Sequence, residues 1–120
     1  MKNIDLACAE CGNKLAEIEN IEASLVNETL AVLLEQGLYS MFLFLKSRTS
    51  TRKGPAKKMG ENIFSFLKNR ISDIETEDNA LNGIRKHFQN DPAKLFWAKD
   101  ITEKALVYPR YHIRAVKEEK

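Results

Sequence analysis

Two cysteines, two histidines and a dense run of cations are the side chains here that could do chemistry. Cys8-Ala9-Glu10-Cys11-Gly12 has the form of a zinc knuckle. A structural zinc ion takes four ligands, and Cys8 and Cys11 are the chain's only cysteines. His87 and His112 stand 25 residues apart, with neither the usual tight spacing nor a flanking ligand. Ile4, Cys8, Cys11, Leu15 and Ile18 instead recur at spacings of 4, 3, 4 and 3, one face of a helix. Free cysteine on such a face behaves as a small hydrophobe. A redox reading of C-x-x-C lacks its preceding strand. The expectation is that both thiols pack in a core and that the protein takes no metal and no other cofactor. Glu17 and Glu19, or Glu75 and Glu77, read as solvated faces. No nucleophile–base pair, convergent carboxylate set or Gly-rich phosphate loop stands out, so nothing argues for an enzyme.

The cations are the stronger signal. Lys46, Arg48, Arg52, Lys53, Lys57 and Lys58 fall between positions 46 and 58 with no acidic residue among them. Lys68 and Arg70 extend the charge, and Arg110, His112 and Arg114 form a second cluster near the C-terminus. Interleaved Ser47, Thr49, Ser50 and Thr51 can donate hydrogen bonds to phosphate oxygens. The net charge of +2 conceals this, because residues 1–45 carry a balance of −5 and residues 46–70 one of +7. Segregation of this kind favours an oriented contact with a polyanion and leaves an acidic flank for a basic partner. Ten of these residues, Lys46, Arg48, Arg52, Lys53, Lys57, Lys58, Lys68, Arg70, Arg110 and Arg114, are therefore the candidate positions for binding nucleic acid. The bland reading is a solvated loop without a ligand, and the competing functional reading is a helical protein–protein adaptor whose basic loop binds an acidic partner. A helix-turn-helix DNA reader is disfavoured by chemistry. Its recognition helix would be Leu38–Leu45, which offers bulky apolar groups where base edges need polar ones.

The elements that must position these groups are helical. A chain of 120 residues is one domain's worth, long enough for one core. Only five glycines and three prolines break it, so long helices are expected. Asn3 opens a first helix, and Ser24 is placed to cap a second with Val26, Leu30, Leu33 and Leu34 as its stripe. Gly37 sits where a left-handed C-cap belongs. A third helix from Leu38 to about Arg48 is apolar almost all round, which predicts a central position and full burial of Phe44. A basic loop over about 46–58 follows, with Pro55 in the first turn of a fourth helix carrying Met59, Ile63, Phe66, Leu67 and Ile71 inward. Leu81, Ile84 and Phe88 mark a fifth. Asn90-Asp91-Pro92 starts a last helix, which Pro109 should kink or end. The whole, 1–120, reads as a single-domain, all-α compact bundle of about six helices. Met1–Asp5 leads into no continuous apolar stretch, and the longest apolar run, Met41–Leu45, is far short of the roughly 20 residues that span a bilayer. A cytoplasmic protein without membrane contact is the expectation.

Gln36-Gly37-Leu38 followed by Phe44-Leu45-Lys46 matches, in order and spacing, the core signature of a known family. On these residues the chain resembles the small subunit of type III CRISPR effector complexes, closest to the Cmr type (type III-B), with the Csm-type small subunit as near relative. The opening helix, with Ala7 and Cys11 at its packing face, looks like that family's alanine-rich first helix. Ile63 to Arg70 looks like its fourth-helix segment, and Ala98 to Leu106, with Tyr108, Arg110 and Arg114 following, resembles its final helix. Two departures stand out. Pro109 interrupts what is usually one continuous helix, and the aromatic near it is Tyr108 or Tyr111 in place of tryptophan. The resemblance implies a non-catalytic, all-helical subunit in antiviral defence. It would stack in several copies of itself beside other effector subunits, with basic faces on the guide and target RNA backbone. RNA cleavage would belong to neighbouring subunits.

Overall fold

The computed structural model describes residues 4–70 and 92–119, with side chains over 6–69 and 93–109. Five α-helices and one 3-10 turn fill them: α1 (Ile4–Ala16), α2 (Ala23–Gln36), α3 (Leu38–Lys46), the turn (Ser50–Arg52), α4 (Lys53–Arg70) and α5 (Pro92–Glu119). No strand occurs among the described residues, so the all-α class read from the periodicity holds. The helix expected around Leu81, Ile84 and Phe88 lies outside the described residues, as does the inward position predicted for Ile71.

Local sequence accounts for most boundaries. After α1 the chain turns through Asn20, whose φ of 65° lies in the left-handed region that Asn tolerates better than most residues. The cap of α2 differs from expectation. Glu22 takes the N-cap position in an extended conformation, and Ser24 is the second residue of the helix, donating from Oγ to Glu22 Oε2 at 3.4 Å. Gly37 does have positive φ, 99°. Its N–H closes α2 on the Leu33 carbonyl at 3.0 Å, and its carbonyl accepts from Met41 N–H at 3.1 Å to open α3. One residue thus separates two helices, a bend that glycine alone makes cheaply.

The core is one cluster to which every helix contributes. The principal contacts run in a closed circuit, α5 on α1 and α2, α3 bridging from α2 to α4, and α4 returning to α1. Two expectations change here. α3 is not central: Leu38, Met41, Phe42 and Leu45 are buried, but Tyr39 and Leu43 are exposed and Phe44 only packs at the margin. Its outer face is apolar too, and periodicity cannot distinguish a buried residue from an exposed apolar one. Nor does Pro109 end the last helix, which continues unbroken to Glu119. A proline withdraws the donor due to the carbonyl four residues back, here Ala105. At that point Gly12 of α1 lies against α5, so close that a Cβ would stand 2.9 Å from the Ala105 oxygen and 3.1 Å from Pro109 Cδ. Burial of this stretch, Ala105, Leu106 and Pro109 included, holds the helix across the proline.

Candidate nucleic-acid interface

The basic segment is not the open loop that its composition predicts. Lys46 is the last residue of α3, only Ser47–Thr49 are irregular, Arg52 closes the 3-10 turn, and Lys53, Lys57 and Lys58 belong to α4. Ser50 at the hinge has φ 56°, a left-handed conformation that costs energy for a residue with a Cβ. Pro55 falls in the first turn of α4, as its preset φ favours.

The ten candidate residues fall into distinct groups. Lys46, Lys53, Lys57 and Lys58 are exposed and make no ion pair among the described residues. Lys53 and Lys57 are one turn apart on the same side of α4. Lys68 follows eleven residues on, about three turns along that side, half-buried with its ammonium 5.5 Å from the Phe64 ring centroid. Arg52 is committed to the fold. It pairs with Glu28, and its Nη2 donates to Ser24 Oγ at 2.9 Å, tying the turn to α2. Arg48 sits over the Phe44 ring, its guanidinium carbon 4.1 Å from the ring centroid. Arg70 is the last residue of α4, while Arg110 and Arg114 lie one turn apart in α5; the side chains of these three are outside the described residues, as is that of His112.

Electrostatics make the start of α4 unusual. The N-terminal end of a helix carries partial positive charge and favours acidic side chains. α4 has no acidic residue in its first turn, and it opens instead on Lys53 with Lys57 and Lys58 in the second. Three cations stacked on a positive helix end raise the local potential at some cost to the helix. An anion placed there would relieve it.

Sequence reasoning missed Glu28 and Ser24 as partners of Arg52, because contacts across 24 and 28 residues leave no local signal. The Phe44–Arg48 contact was missed as well, because Arg48 lies past the end of α3, where helical spacing no longer applies. The structure also holds a groove of about 130 Å³ between α1 and α4, walled by Glu10, Lys14, Asn62, Ser65 and Asn69 over Phe66. No sequence motif announced it.

The cysteines sit where helical spacing puts them, both buried on α1. Cys8 Sγ donates to the Ile101 carbonyl at 3.6 Å. Burial, with a smaller contribution from Cys8, pushes the Cys11 thiol up to about 12, so it stays protonated where ligand or nucleophile chemistry needs thiolate. Among the described residues no three His, Cys, Asp or Glu side chains gather to hold a metal ion, and no helix is long and apolar enough to cross a membrane. No family model matches this chain, and no curated protein or solved structure is similar to it.

Proposed function

We propose that this protein is a non-catalytic small subunit of a type III CRISPR effector complex, of the Cmr kind, which cradles the RNA backbone with the basic surface at the α3–α4 junction. The observation that carries the reading is the set of exposed Lys46, Lys53, Lys57 and Lys58, without an ion pair among the described residues, beside a helix N-terminus with no acidic residue in its first turn. Charge placed against the helix dipole has a physical reason when a phosphate backbone supplies the missing anions. The helix order supports it further, with Gln36-Gly37-Leu38 at the α2–α3 joint and Phe44-Leu45-Lys46 at the end of α3, as in the family signature. In this reading the partners are guide and target RNA, neighbouring effector subunits and further copies of the chain.

Salt dependence tests it. For single-stranded RNA, log K should fall with log salt at about −0.7 for each phosphate contact. Replacing Lys46, Lys53, Lys57 and Lys58 with alanine should weaken binding to all sequences alike and shrink that slope by up to roughly 3. Each exposed substitution should move stability by no more than about 0.5 kcal/mol, and removing cations from a positive helix end should make the sum neutral or stabilising. Unchanged affinity and slope in a folded variant would remove this surface from the interface. A wild-type chain that ignores RNA yet binds an acidic protein would favour the adaptor reading, for which exposed Leu34, Tyr39 and Leu43 offer apolar surface.

A further inference from the structure

Within the basic surface one cation is built differently from the rest. The Arg48 guanidinium stacks on Phe44 at 4.1 Å, and two hydrogen bonds fix its plane: Nε donates to the Phe44 carbonyl at 3.1 Å and Nη2 to Ser47 Oγ at 3.0 Å. Ser47 Oγ is itself anchored, donating to the same Phe44 carbonyl at 2.8 Å. No carboxylate pairs with Arg48 among the described residues, in contrast to Arg52 with its Glu28. The side chain is partly exposed, so an oriented and uncompensated planar cation meets solvent. Nε and Nη2 are already spent on Phe44 and Ser47, so the side-on fork with which an arginine grips a phosphate in two bonds is occupied. A fixed plane matches a planar ligand.

We infer that the Phe44–Arg48 stack is a platform for one unpaired nucleobase, so that the ligand of this surface is a single strand with a base turned toward the protein. The inference rests on the RNA-binding reading above and adds the ligand's chemistry to it. Arginine planes and aromatic rings are the surfaces on which splayed bases stack. Exposed Lys46, two residues before Arg48, and Lys53, at the far side of the 3-10 turn, would take the phosphates on either side of that base. Leu43, exposed one helical turn before Ser47, continues apolar surface along α3. Stacking tolerates any base, because each has a π face, and this agrees with a surface that reads no sequence.

The test uses the full chain, a labelled single-stranded RNA, an abasic oligomer of the same length and charge, and Arg48→Lys. Wild type should prefer the base-containing strand by about 5- to 100-fold, the worth of one stacked base. Arg48→Lys keeps the charge and loses the plane. It should abolish most of that preference while its affinity for the abasic oligomer and its salt slope stay within error of wild type. A DNA strand bound as well as RNA would also support the platform, with the ribose hydroxyl left out of the contact. Equal binding of both oligomers by wild type overturns the platform and leaves the backbone reading standing. A full preference retained in folded Arg48→Lys overturns it equally. Failure of wild type to bind either oligomer overturns both readings. Should Arg48→Lys not fold, the two-oligomer comparison on wild type decides alone.

Discussion

An alanine at position 12 would carry its Cβ to 2.6 Å from Tyr108 Cβ and 2.9 Å from the Ala105 carbonyl. Both neighbours belong to the rigid part of α5, so the helices would have to part. Gly12→Ala is expected to destabilise the domain by about 1–3 kcal/mol, the usual cost of overpacking. Gly54→Ala is its control, since nothing lies within 4 Å of the new methyl. It should be neutral or stabilise by up to about 1 kcal/mol through helix propensity. Denaturant midpoints of the pair check both signs. Beside Gly12, the Cys11 thiol gives a pH prediction. Its folded value of about 12 exceeds the ordinary 9.0, so between those values the native state holds a proton that the unfolded chain has released. Stability then falls as pH rises from about 9 toward 12. Cys11→Ala should flatten that part of the melting-temperature profile, and an unchanged slope would mean the thiol is not buried. The same residues show how sequence can mislead. Cys8, Cys11 and Gly12 copy a metal motif because a close helix crossing needs small side chains at the same spacing.

At the scale of elements, α3 and α4 separate packing from presentation. Phe42 is buried and meets Phe64 edge to face, ring centroids 6.3 Å apart, whereas Phe44 is half-exposed beneath Arg48. Phe42→Ala is expected to cost about 3–5 kcal/mol. Phe44→Ala should cost clearly less, and it should release the Arg48 side chain. Thermal melts rank the two, and the reverse order would restore the central α3 that its composition suggests. Helices α1 to α4 were legible because their stripes recur at 3 and 4 and their ends carry Gly37 and Pro55. Legibility failed where tertiary contacts overrule local signals. Ser24 reads as a cap and became a partner of Arg52, while Pro109 reads as a stop and is carried through by α1. The candidate site was half legible. Its charges are contiguous in sequence, so the patch could be named. That Arg52 is spent on Glu28 depends on a contact across 24 residues, and Arg48 meets Phe44 where the chain turns just past the end of α3.

Across the whole molecule the two ends of the chain close the bundle. α5 brings Ala98, Ile101, Thr102, Ala105 and Leu106 into the core, and its main neighbours are the first two helices. The bond from Cys8 to Ile101 spans 93 residues. Without α5 part of the buried surface of α1 and α2, Cys8 included, would turn to water, although α3 would still join α2 to α4. A domain of this size holds only about 5–15 kcal/mol of net stability, and a single Leu→Ala change in a core costs about 2–5. Leu106→Ala, at a fully buried position, should therefore remove a large share of that total and lower the melting temperature by more than ten degrees, roughly. A chain cut before Pro92 loses the core side chains Ala98, Ile101, Ala105 and Leu106, and buried Thr102 with them. It should keep helical circular dichroism in part, bind a hydrophobic dye and melt without a cooperative transition. A sharp melt from the shortened chain would make α5 an appendage to a self-sufficient bundle. On the RNA-binding proposal, that shortened chain should then bind RNA unaided, because Lys46, Lys53, Lys57 and Lys58 all lie before the cut.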